Sequence, residues 1–97
     1  MKSITEIKRI LQNEIPSLKE KYYVKEIGIF GSFVRGEQNH KSDLDIIVEF
    51  AKPIGLLKFI HLENYLHELL GMKIDLVTKT ALKPYIGQRI LQEVVYI

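Results

Sequence analysis

The sequence predicts a small α/β (α+β) domain in which helices cover one small mixed β-sheet. Three observations carry that prediction. Helical periodicity of apolar residues occurs near the start, in the middle and near the end of the chain, and three short β-rich runs fall between those segments. The length of 97 residues is too short for two ordinary domains, yet allows one core that buries about 60–65% of the unfolded surface. With 46% hydrophobic and 27% charged residues, the chain lacks the low-hydrophobicity, high-charge signature of disorder. One domain over residues 1–97 is expected.

Ser3 followed by Glu6 is a capping-box pattern, and Ile4, Ile7, Ile10, Leu11 and Leu18 recur at helical spacing, so the first element is an amphipathic helix. Pro16 removes a backbone donor and disfavours helix at Ile15, which predicts a kink or restart near Ile15–Ser17, before Tyr22. Residues 25–30 read as the first strand, an apolar run that turns sharply at Gly31-Ser32. The wholly polar segment Arg35 to Ser42 reads as an exposed loop with a short helix or turn before it. The second strand begins near Ser42 and runs through the apolar stretch Leu44 to Phe50. Ile54 to Leu70 forms a long middle helix, with Gly71 placed for a C-terminal cap. Met72 to Val77 is a third strand, and Ala81 to Val95 a final helix whose first turn accepts Pro84.

Several function classes are excluded by inventory. The chain has no cysteine, which removes disulfides, thiolate metal sites and cysteine nucleophiles and leaves oxygen or imidazole ligands for any metal. The opening residues Met1 to Glu6 lack the apolar core of a signal peptide, and no stretch approaches the roughly 18 apolar residues of a membrane span. A soluble, cytoplasmic protein without a membrane partner is expected. A net charge of +2, with both signs interspersed, offers no basic face for direct nucleic-acid binding.

The chemistry gathers on three aspartates. Asp43 and Asp45 stand two residues apart at the start of the second strand, so they project to one face while Leu44, Ile46 and Val48 take the other as a core stripe. Two like charges held that close resist joint ionisation unless a cation joins them, and a sulfur-free, oxygen-only set suits magnesium or manganese. Most D-x-D pairs merely occupy a strand's solvent face or cap a loop. Asp75 weighs against that plainer role, because Lys73 to Val77 again sets a carboxylate mid-strand between Ile74 and Leu76, where a charge needs a reason. If the third strand neighbours the second, Asp75 joins the first two acids, either as a metal ligand or as a proton acceptor. Gly31 permits close backbone approach, and a helix begun at Ser32 presents free N–H groups to a phosphate chain, although a Gly-Ser pair alone is a common connector. Arg35 and Lys41 lie in the same connection, where they serve as phosphate partners or as solvated loop cations.

Gly31-Ser32-Phe33-Val34-Arg35-Gly36 followed by Ser42-Asp43-Leu44-Asp45 and a hydrophobic strand resembles the G-S-x-x-R-G and S-D-x-D signature of minimal nucleotidyltransferases. These belong to the DNA polymerase β-like superfamily, and the smallest, the MNT proteins, are paired with HEPN toxins. The resemblance continues through Lys73 to Val77 and the Leu82–Val95 stretch. It implies a polymerase β palm-like fold, two Mg²⁺ ions (or Mn²⁺) held by Asp43, Asp45 and Asp75, and a nucleotide held by Gly31, Ser32, Arg35 and Ser42. Asp75 would also orient or deprotonate the acceptor. The implied reaction transfers a nucleoside monophosphate, AMP from ATP, to a hydroxyl. A tyrosine of a partner HEPN toxin is the expected acceptor, which makes the chain an antitoxin.

Two other readings compete. Arg35 and His40 stand at the R-x4-H spacing of HEPN ribonucleases, but Gly36 and Asn39 break the helix that motif needs. His61 and His67, six apart on the middle helix, do not share a face as an i, i+4 pair does. The second competitor is a module that neutralises a partner by contact alone, with Phe59, Tyr65, Tyr85 and Tyr96 divided between core and interface.

Overall fold

The computed structural model describes residues 2–82 and 84–97. Four helices and four strands alternate along the chain: α1 (Ile4–Tyr22), β1 (Val24–Phe30), α2 (Ser32–Arg35), β2 (Leu44–Phe50), α3 (Gly55–Leu70), β3 (Ile74–Thr78), α4 (Pro84–Glu93) and β4 (Val95–Tyr96). A 3-10 turn over Lys79–Ala81 leads from β3 toward α4. The expected reading of Tyr85 as core or interface turns on a side chain that lies outside the described ones.

α1 starts as the sequence requires: Ser3 is extended, and its Oγ accepts the Glu6 N–H at 3.2 Å. The expected break at Pro16 does not occur, and the helix runs unbroken through it. Leu11 and Leu18, on either side of the proline, are both fully buried while Pro16 itself is exposed. Packing of the flanking turns outweighs one lost backbone bond on the solvent side.

The sheet order is β3-β2-β1-β4, with β1 antiparallel to β2 and β4, and β2 parallel to β3 across the α3 crossover. Ile27 and Ile29, Leu44, Ile46 and Val48, and Ile74 and Leu76 form one buried face against Ile7, Leu11 and Leu18 of α1 and Leu62, Leu66 and Leu70 of α3. The expected core stripe of β2 is therefore correct. Deleting one such leucine to alanine costs about 2–5 kcal/mol.

A short fourth strand corrects the expected final helix, which stops at Glu93 and releases Val95–Tyr96 to pair with Gly28 and Ile29. The cause lies far away in sequence. Gly28 alternates with Ile27 and Ile29, so a Cβ there would point to the second sheet face, where it would stand 2.4 Å from Val94 Cγ1 and 3.2 Å from Tyr96 Cδ1. Its missing side chain leaves room for the C-terminal segment to cross that face.

Candidate active site

Parallel pairing of β2 and β3 sets Asp45 opposite Asp75, and antiparallel pairing sets Phe30, the last residue of β1, opposite Asp45 on the other side. Asp43 precedes β2 by one residue, and its neighbour Leu44 donates its N–H to the Lys73 carbonyl at 2.9 Å. All three acids thus gather at the end of the sheet where β1 leaves and β2 and β3 begin. Asp75 is exposed, whereas Asp43 and Asp45 are half-buried. Lys73 Nζ stands 4.0 Å from Asp43 Oδ2, a loose and exposed contact worth little.

Charge crowding is strongest on Asp45. Burial, then the charges of Asp75 and Asp43, then a hydrogen bond with Asp75 push its carboxyl up from 3.8 to about 6, with Arg35 the opposing charge. A carboxyl pushed up in this way marks a place that lacks positive charge.

Gly31 lies directly against this carboxyl. Its φ of +81° is open to glycine alone at little cost, and a Cβ built on it would fall 2.0 Å from Asp45 Oδ2. The Val34 and Arg35 N–H groups both donate to the Gly31 carbonyl as α2 begins at Ser32. Among the described residues the Ser32 and Phe33 amides meet no acceptor. Ser42 turns inward to the loop: its Oγ accepts the Asn39 N–H at 2.9 Å and its own N–H donates to the Asn39 carbonyl. Arg35 Nε donates to Glu37 Oε1 at 2.5 Å and its NH1 to Glu93 Oε1 at 2.7 Å. In this arrangement Arg35 and Ser42 shape the connection around the site.

Comparison with known proteins places this geometry. A model of the nucleotidyltransferase domain family matches residues 8–97. The chain belongs to that family. It is 50% identical over 97 residues to the protein adenylyltransferase MntA of Thermococcus cleftensis, covering all of this chain and 98% of that one. A solved candidate minimal nucleotidyltransferase superposes with a TM-score of 0.78 at 32% identity, over 93% of this chain and 92% of that one. A toxin–antitoxin structure with AMP-PNP superposes with a TM-score of 0.70 at 25% identity, over 88% of this chain and 70% of that one. The mixed sheet with its helices is the minimal nucleotidyltransferase fold.

In this nucleotidyltransferase, no three Asp, Glu or His side chains among the described residues close on one point as a complete metal cage. Asp45 and Asp75 face each other, while Asp43 leans toward Lys73. An open carboxylate set of this kind fits magnesium, which keeps waters and takes phosphate oxygens beside one or two protein carboxylates.

One residue of the nucleotidyltransferase site has no sequence signal. Glu93, at the end of α4, accepts the Gly31 N–H on Oε2 at 3.0 Å and Arg35 on Oε1. Burial pushes its carboxyl up, but the hydrogen bonds from Arg35 and Gly31 and the charges of Arg35 and Arg89 together hold it below the usual glutamate range.

Proposed function

We propose that this nucleotidyltransferase is a magnesium-dependent protein adenylyltransferase that moves AMP from ATP to a hydroxyl of a partner protein. The observation that carries the reading is the pairing of Asp45 with Asp75 beside the Gly31 turn, where the pushed-up Asp45 carboxyl signals a site built for positive charge. Asp43, Asp45 and Asp75 would hold the divalent ions. When bound, those ions supply neutralisation of the phosphate chain and of the developing negative charge.

The chain's own groups do the rest. The Ser32 and Phe33 amides at the start of α2 donate to phosphate oxygens, and Gly31 leaves room for them because no side chain stands between that backbone and Asp45. Asp75, exposed at the same level, accepts the proton of the incoming hydroxyl. The hydroxyl oxygen forms a bond to the α-phosphorus as the bond to the β-phosphate bridging oxygen breaks, and pyrophosphate leaves with that electron pair. Since the acids stand on an exposed sheet end, the acceptor is delivered by a docked macromolecule and oriented by that contact.

Resemblance to the MNT proteins points to a tyrosine of a HEPN toxin as acceptor, with adenylylation silencing the toxin. Neutralisation by contact alone is the second reading, and one observation favours it: Leu56 and Leu57, at the start of α3, are 73% and 80% exposed. They follow the end of β2 opposite to the acids.

The test is to incubate the chain and Mg-ATP with a HEPN toxin and to measure intact mass and toxin ribonuclease activity. Adenylylation that disappears with Asp43→Asn/Asp45→Asn supports transfer. An unmodified toxin that this double variant still inhibits fully would replace transfer with contact.

A further inference from the structure

We propose that Glu93 is a positioning residue for nucleotidyl transfer, tying the C-terminal helix to both the Gly31 turn and the Arg35 guanidinium. This rests on the reading of the Gly31–Asp45 corner as the nucleotide site. The two contacts span 62 and 58 residues of sequence, one on each carboxylate oxygen. Bridging two different donors with one carboxylate locks their separation, which neither donor does alone.

The geometry explains why such a lock is needed. Gly31 holds φ +81° and ψ −152°, a conformation that its own local sequence does not enforce. Its carbonyl is fixed by two amides of α2, and among the described residues its N–H is fixed only by Glu93. Loss of that acceptor frees the peptide plane preceding Gly31 to rotate and removes a long-range tie between the Gly31 turn and the C-terminal helix. Any such rotation moves backbone that lies against the Asp45 carboxyl.

Arg35 is held on two sides, by Glu37 at Nε and by Glu93 at NH1. A guanidinium carries five N–H donors, so those two contacts leave the others to meet an incoming phosphate from a fixed direction. Arg89 lies one helical turn before Glu93, at i, i+4 spacing, and lines the same cleft of about 330 Å³ with Arg35 and Ile90. The cleft therefore carries two guanidiniums around one carboxylate. Glu93 keeps 21% of its side chain exposed against 50% for Arg35, placing the clamp at the inner wall and the cation toward solvent.

The experiment uses the full chain with Glu93→Ala, Glu93→Gln, Arg35→Ala and the Glu93→Ala/Arg35→Ala double variant. Three quantities are read: thermal midpoint, the Kd of a fluorescent ATP analogue with Mg²⁺, and the position and exchange rate of the Gly31 amide in a ¹H–¹⁵N spectrum. Glu93→Ala is expected to move the Gly31 resonance, speed its exchange about 10-fold and weaken nucleotide binding about 10-fold, the size of one lost charge-assisted contact. The isosteric Glu93→Gln keeps side-chain volume but cannot offer one acceptor atom to each donor, since one of its two terminal groups is itself a donor. It is expected to weaken binding at least about 3-fold with a native spectrum elsewhere, so the test holds if the alanine variant fails to fold. The double variant should bind about as well as the weaker single one, because the two residues act as a unit. Native folding of Glu93→Gln with an unmoved Gly31 amide and unchanged Kd overturns the assignment, as does full additivity in the cycle. A wild-type chain that binds no Mg-ATP would bring down the proposed activity and this assignment together, whereas normal wild-type binding with indifferent Glu93 variants overturns the assignment alone.

Discussion

Replacing Asp45 by asparagine should stabilise the metal-free protein at neutral pH and leave it nearly unchanged in acid. The carboxyl moves from its ordinary 3.8 to about 6 on folding, chiefly through burial and then through the charges of Asp75 and Asp43. A folded value above the unfolded one means that the folded state prefers the proton. The stabilising contribution is complete below pH 3.8 and is lost as pH rises through about 6, so the window lies between about pH 4 and pH 7. A displacement of this size corresponds to about 3 kcal/mol between protonation states. Asp45 is only half-buried, and screening by the remaining solvent brings the expected cost down to about 1–1.5 kcal/mol. For a domain of this length that is a rise of about 5–10 °C in Tm for Asp45→Asn at pH 7.5. Urea titrations in EDTA at pH 4 and pH 7.5 measure the gap between wild type and variant, and the difference between the two gaps cancels the titrating groups that do not interact with Asp45. Addition of Mg²⁺ at pH 7.5 should restore the wild type and not the variant. A gap that stays constant with pH, or that favours wild type more at pH 7.5 in EDTA, refutes the reasoning.

Three further outcomes follow from named contacts. Asp75→Asn should leave the Mg-ATP Kd within about 3-fold while slowing transfer about 100-fold or more, read by single-turnover kinetics; equal loss of binding would make Asp75 a metal anchor. Gly31→Ala and Gly36→Ala both place a side chain at positive φ, but a Cβ at Gly36 meets nothing within 4 Å, whereas at Gly31 it strikes Asp45. Gly36→Ala should cost about 1–2 kcal/mol and Gly31→Ala about 3 kcal/mol or more by urea titration, with loss of nucleotide binding only in the latter. Tyr65→Phe should cost about 1 kcal/mol by removing the hydrogen bond to Glu14, and the ultraviolet titration of the wild type should contain one tyrosine pushed up to about 12 by that bond and by burial.

The legible part of this molecule is the part whose cause is local. Strand alternation alone places Asp43 and Asp45 on one side and Leu44, Ile46 and Val48 on the other, and the structure keeps that division. Asp75 stands out because its immediate neighbours, Ile74 and Leu76, are core residues on the opposite face. Its meeting with Asp45 required one further step, the parallel pairing of consecutive strands through α3, which topology favours for a strand–helix–strand unit. The start of α2 at Ser32 and the cap at Gly71 were likewise written in single residues whose backbone freedom has few other uses.

Where structure and sequence pattern differ, the deciding contact is distant. By its local effect Pro16 predicts a break in the helix, but Leu11 and Leu18 on either side are held by the core, and their burial overrides the loss of one solvent-side bond. Val95 and Tyr96 leave the last helix because Gly28, far earlier in the chain, vacates space for Val94 and offers strand partners. Glu93 was one more acid on an amphipathic helix until folding brought it to Gly31 and Arg35. All three cases depend on the packing of residues that the chain separates. The acids of a metal site can be read from strand register because register is periodic; the residues that hold the site in shape have no period, since any helix that reaches the turn can supply the carboxylate.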